Sequence, residues 1–193
     1  IRTKFETYAE FGRTTADKVF TPEEMKGVQI LKANWMASSY LENLGQGKFK
    51  LTKLPWQAQL APLYGMMPYD YDQDGWQDLM IVGNDYGMEL LQGRADALLG
   101  LVLHNAQGGG FNALSLDQSH FIVPRDARAL SSIQVKGQDW ILATQNRDSL
   151  RAFTAGLKAT GSIEVKPNES WAIVNYKDKS RAVQEFYWGH SFQ

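Results

Sequence analysis

A chain of 193 residues with 20 basic and 21 acidic side chains has a net charge of −1, so no overall field draws it to nucleic acid or to an anionic membrane. It has no cysteine, which excludes disulfides and thiolate metal sites, and no apolar run of about eighteen residues, so no membrane insertion is expected. The length suits one domain or a little more, and 6 Trp, 8 Tyr and 9 Phe suit a sheet protein, where flat rings pack on a pleated surface.

The chain opens Ile1-Arg2-Thr3-Lys4, with neither an initiator methionine nor a charged-then-apolar leader, and reads as a piece trimmed from something longer. Segment 1–37 is predicted to be helical, as a connector or insertion. Phe5, Tyr8, Ala9 and Phe11 recur at helical spacing. Thr21-Pro22-Glu23-Glu24 then offers an N-cap, a proline at the first helical position and a reciprocal Glu, with Met25, Val28, Leu31 and Lys32 continuing a second helix.

From Ser38 the texture changes to short strands and glycine turns. The chain then reaches Asp70-Tyr71-Asp72-Gln73-Asp74-Gly75-Trp76-Gln77-Asp78, followed by the apolar run Leu79-Met80-Ile81-Val82 and a Gly83-Asn84 break. Carboxylates at relative positions 1, 3, 5 and 9 surround a glycine at position 6. Folding them together makes sense around a hard cation, because Ca²⁺ takes about six to eight oxygen ligands. The predicted ligands are Asp70, Asp72, Asp74, the backbone carbonyl of Trp76, and Asp78. Position 12 is Ile81 rather than a bidentate Glu, and the following run reads as a buried strand, so the loop joins strands and is no EF-hand.

An internal repeat frames the loop. Asn43-Leu44-Gly45-Gln46-Gly47-Lys48-Phe49 matches Asn105-Ala106-Gln107-Gly108-Gly109-Gly110-Phe111 at an offset of 105 − 43 = 62. The same offset takes Gly75 to Gly137, Asn84 to Asn146 and Leu79-Met80-Ile81-Val82 to Ile141-Leu142-Ala143-Thr144. It also takes Asp70, Asp72, Asp74 and Asp78 to Ser132, Gln134, Lys136 and Trp140, so a cation is expected in the first copy alone. Units of this size suit propeller blades, one at 38–97 with the calcium loop and one at 98–159 with a degenerate loop. In the tail, 160–193, Trp171-Ala172-Ile173-Val174-Asn175-Tyr176 and Arg181-Ala182-Val183-Gln184-Glu185-Phe186-Tyr187 flank the polar turn Lys177-Asp178-Lys179-Ser180, which predicts a β-hairpin.

These features resemble a family. The acidic loop, the Leu79 strand and the Gly83-Asn84 closure look like the FG-GAP/VCBS repeat of integrin-α-type β-propellers. The Asn43 to Phe49 element is similar to the same repeats in bacterial surface and secreted proteins. Tyr176-Lys177-Asp178-Lys179 and Glu185-Phe186-Tyr187-Trp188-Gly189 resemble the end of ASPIC/UnbV-type proteins. The resemblance implies a mainly β, partial propeller with further blades N-terminal to this chain, calcium in strand-connecting loops, an exported or cell-surface location and no shared catalytic activity.

The function expected is therefore a calcium-binding, non-catalytic module for adhesion or for a protein or glycan ligand. The alternative is a carbohydrate-active propeller. Its catalytic candidates are Glu89 with Asp96 as paired carboxylates, and His104 or His120 as a base beside Arg94 or Arg125. Its sugar-stacking candidates are Trp56, Trp76, Tyr86 and Trp188.

Overall fold

A computed structural model of the chain describes residues 4–154, 165–166, 168–175 and 181–186. The chain forms two compact units, Ile1–Met36 and Ala37–Gln193. In the first, two one-turn helices form, α1 (Tyr8–Gly12) and α2 (Ala16–Val19), the former capped by Thr7, whose side chain accepts from the Glu10 N–H. The second predicted helix does not form. Its capping box does close: the Thr21 N–H donates to Glu24 at 2.8 Å and the Glu24 N–H to Thr21 Oγ1 at 3.3 Å. One turn follows, with the Met25 N–H on the Thr21 carbonyl, before Gly27 turns left-handed at φ 79° and residues 28–36 take no regular structure. A cap satisfies the first N–H groups, but a helix this short still needs a packed face to persist, and Gly27 removes the next turn.

The second unit is mainly β and wholly antiparallel. Strands β1 (Ser39–Gly45) and β2 (Lys48–Lys53) form a hairpin closed by Gln46 and Gly47, both at positive φ, the conformation a two-residue turn between twisted strands requires. A 3₁₀ turn, Trp56–Gln59, leads into a four-stranded sheet of β3 (Leu63–Tyr69), β4 (Asp78–Gly83), β5 (Leu101–Asn105) and β6 (Phe111–Ala113), hydrogen-bonded in that order. One helical turn, α3 (Leu116–Ser119), closes with a Ser115/Gln118 capping box. A three-stranded sheet follows: β7 (Ala127–Val135), β8 (Gln138–Gln145) and β9 (Arg151–Thr154). The tail pairs β10 (Trp171–Asn175) with β11 (Arg181–Glu185), Trp171 opposite Glu185, as the sequence predicts; its turn, 177–180, lies outside the described residues. Among the described residues no sheet closes on itself.

Strand β4 is buried on both faces, and period-2 alternation divides its side chains between two cores. Met80 and Val82 join Val102, Phe121, Val123, Leu130, Ile141 and Ala143 against the three-stranded sheet. Leu79 and Ile81 join Leu54, Ala58, Leu98, Leu101 and Leu103 on the other side. Gly65 lets the sheets approach: a Cβ there would stand 2.7 Å from Val82 Cγ2 and 3.0 Å from the Ala129 backbone.

Hydrogen bonding gives the repeat its phase, which a period alone does not. The four-stranded sheet runs across residue 97, the boundary expected between blades, so β3–β4 answers to β7–β8 and β1–β2 to β5–β6. Each inner pair carries a bulge at the same place, between Leu63 and Gly65 and between Ala127 and Ala129. The pairs Leu63↔Gly83 and Ala127↔Gln145 put β4 and β8 at offset 62 but β3 and β7 at offset 64. The gapless match of Asp70 and Asp72 to Ser132 and Gln134 is thereby corrected. Instead, β7 and β8 continue to the pair Val135↔Gln138 and turn through Lys136 and Gly137, both at positive φ. Where the first copy has a long acidic loop, the second has a tight hairpin without those carboxylates.

Candidate metal centre

Residues 70–77 join β3 to β4 at one end of the four-stranded sheet. Gln73 (φ 66°) and Gly75 (φ 91°) turn the backbone left-handed, and the carboxylates fold back onto the loop's own N–H groups. Asp70 Oδ2 accepts from the Gly75 N–H at 3.1 Å, Asp72 Oδ1 from the Asp74 N–H at 3.2 Å and Asp74 Oδ1 from the Trp76 N–H at 2.8 Å. Each of the three spends one oxygen on the turn, and the other oxygen of Asp72 faces His104. One oxygen from each lies within 4.8 Å of the others, so the loop gathers positions 1, 3 and 5 as the sequence predicts. The remaining oxygen of Asp70, Oδ1, is buried without a partner among the described residues. A buried, unpaired carboxylate oxygen is costly to keep, and a cation is one way to satisfy it.

Asp78 stands apart from that group. It is buried at the start of β4; its Oδ2 accepts from the Tyr71 N–H at 2.9 Å and its Oδ1 from the Asn105 N–H at 2.7 Å. Strand pairing of Leu79 with Leu103 brings His104 beside it, and His104 Nδ1 lies 3.3 Å from both Asp78 Oδ1 and Asp72 Oδ2. Asp72, Asp78 and His104 thus form a second group that shares Asp72 with the first. The all-oxygen group has the chemistry of a hard cation, whereas imidazole suits softer metals.

The second repeat element anchors the loop. Asn105 donates through Nδ2 to the Gln77 carbonyl at 3.1 Å and accepts through Oδ1 from the Gly108 N–H at 2.9 Å, tying the β5–β6 turn to the loop end. The Trp76 side chain is 44% exposed, with its ring edge against Gly108, 3.6 Å from where a Cβ would stand. The Tyr71 hydroxyl donates to the Ser119 carbonyl at 2.5 Å, which fixes the loop from the other side. Burial, and then the charges of Asp139 and Asp70, push the Tyr69 hydroxyl above its ordinary pKa.

The catalytic candidates scatter. His104 meets Asp72 and Asp78 rather than Arg94 or Arg125, which lie beyond the opposite end of β4. His120, left-handed at φ 48°, caps α3 with its N–H on the Leu116 carbonyl. Glu89 and Asp96 are exposed in the 84–100 connection. Trp56 is exposed at the 3₁₀ turn, the Arg94 guanidinium lies 4.6 Å over the Tyr86 ring, and Trp188 lies outside the described residues. His104, Asn105 and Ser119 are loop partners that sequence spacing does not connect to it; only the Asn105 repeat element signals one of them. No family model matches the chain, and comparison with curated proteins and with solved structures finds no match.

Proposed function

We propose that the 70–78 loop binds Ca²⁺ as a structural ion, in a non-catalytic binding module of the FG-GAP/VCBS propeller type that belongs to an exported protein. The observations that carry the ion are the gathering of one oxygen from each of Asp70, Asp72 and Asp74 within 4.8 Å and the burial of Asp70 Oδ1 without a partner among the described residues. Asp70, Asp72 and Asp74 would hold the cation with the Trp76 carbonyl. Asp78, outside that group, would support the loop from the ninth position by holding the Tyr71 and Asn105 N–H groups. The ion would cancel the repulsion among these carboxylates and couple its binding to local folding. Adhesion, export and further blades rest on the sequence resemblance. A glycan rather than a protein partner is favoured by the half-exposed ring of Trp76 beside the loop, a surface on which a sugar stacks.

Thermal melts in Ca²⁺ and in chelator test the ion. Saturation at a hundredfold excess over Kd adds about 2.7 kcal/mol, or roughly 5–10 °C for a domain of this size. Identical melts in the two buffers would end the calcium reading. A glycan array probed with and without Ca²⁺ tests the ligand class.

A further inference from the structure

At the end of β4 opposite the acidic loop, three of the chain's eight arginines line one cleft of about 510 Å³. Arg94 comes from the β4–β5 connection, Arg125 from the segment before β7 and Arg147 from the β8–β9 connection, with Tyr86, Asn146 and Asp148 completing the wall. Only one carboxylate answers them, Asp148, whose Oδ2 lies 3.2 Å from Arg125 Nε. Among the described residues neither Arg94 nor Arg147 has an acidic partner within ion-pair distance. The charged side chains that line the cleft, three arginines and one aspartate, therefore sum to +2 in a chain whose total is −1, with Asp85 and Asp126 behind the wall sharing Arg128.

Hydrogen bonds fix the backbone from which these side chains extend. The Arg125 N–H donates to the Gln145 side chain at 3.1 Å, and its carbonyl accepts from Asn84 Nδ2 at 3.0 Å; both partners are buried. Bridge hydrogen bonds between Asp85 and Ala95, 2.8 and 2.9 Å long, close the connection so that Arg94 lies over the Tyr86 ring. Arg147 occupies a left-handed position, φ 56°, in a turn closed by Gln145 Nε2 donating to the Ser149 carbonyl at 2.8 Å. Such a backbone is uncommon for a long side chain, and Arg147 lines the cleft from it.

We infer that this cleft binds an oxyanion-bearing ligand, with Arg94, Arg125 and Arg147 as its guanidinium clamp. Guanidinium groups form paired, charge-assisted hydrogen bonds to sulfate, phosphate and carboxylate. The volume admits a sugar-sized molecule, so the oxyanion has two sources: a free inorganic ion or an acidic sugar. The inference stands independently of calcium, because the cleft and the 70–78 loop share no residue.

The test is an NMR titration of the full chain, in chelator and at constant ionic strength, with sodium sulfate, sodium phosphate and sodium glucuronate. Saturable shifts of Arg125, Asn146 and Arg147 amides by at least one probe are expected, with binding weakened ~10-fold by Arg94→Gln or Arg147→Gly and unchanged by Arg151→Gln on β9. Arg147→Gly relieves the left-handed strain, so a lost fold does not confuse the result. Glucuronate binding tighter than either inorganic ion assigns the source to an acidic sugar, and the reverse assigns it to a free ion. No saturable shift with any probe overturns the inference, as does equal weakening by Arg151→Gln.

Discussion

Asn84 follows β4 in a left-handed conformation, φ 79°, and its side chain is completely buried. Its amide joins three segments: Nδ2 donates to the Leu98 carbonyl at 2.7 Å and to the Arg125 carbonyl at 3.0 Å, while Oδ1 accepts from the Leu98 N–H at 2.9 Å. Asn84→Ala removes all three bonds and leaves buried Leu98 with an unpaired N–H and carbonyl. At about 1 kcal/mol for each bond, and more for an orphaned buried group, the loss is about 3 kcal/mol. Alanine at positive φ adds about 1 kcal/mol. The sum, about 4 kcal/mol, is a large part of the roughly 5–15 kcal/mol that holds a domain. Urea unfolding at fixed temperature reads it as a lower midpoint at unchanged slope. Asn84→Gly, free of the backbone strain, should recover about 1 kcal/mol of the loss. If Asn84→Ala unfolds within 1 kcal/mol of the parent chain, the three bonds do not organise this end of the sheet and the reasoning fails.

Gly65→Ala should cost about 1–3 kcal/mol, because its Cβ would press on Val82 and the Ala129 backbone where β3 meets β7; a denaturation midpoint equal to the parent's would mean that the sheets do not meet there. Thr144→Val leaves the Ala129 N–H at the bulge without its acceptor, now 3.1 Å away, and should cost about 1–3 kcal/mol, whereas Thr144→Ser keeps the hydroxyl and should stay near the parent. Asp85 titrates below its ordinary value of 3.8 because the Gly87 N–H, then the Tyr64 hydroxyl and Arg128, favour its ionised form. Its folded pKa is depressed, so its contribution is complete above about pH 3.8 and disappears as the pH falls through the lower folded value. Melting temperature against pH should therefore fall less steeply below pH 4 in Asp85→Asn than in the parent, and parallel curves would refute that account.

What the sequence makes legible is what local chemistry decides. The buried run at Leu79 to Val82, the pairing of Trp171–Asn175 with Arg181–Glu185, and the clustering of Asp70, Asp72 and Asp74 around Gly75 all follow from patterns a few residues long. Thr21 and Glu24 show the limit of such patterns, since the capping box forms its hydrogen bonds and no helix follows. A period of 62 residues identifies a repeat but not its phase, and a two-residue slip between β3 and β7 stays hidden until the bulges align. His104 reaches Asp78 only through the register of β4 on β5, and the arginine cleft draws on three connections that no spacing relates. Contacts of that kind are set by tertiary pairing rather than by neighbouring residues.

Calorimetric titration of Ca²⁺ into chelator-stripped protein tests the central claim most directly. The account predicts one saturable site per chain, with the heat abolished by Asp72→Ala and by Asp74→Ala while both variants stay folded. The absence of saturable heat in the parent chain, or binding undiminished in either variant, would contradict it.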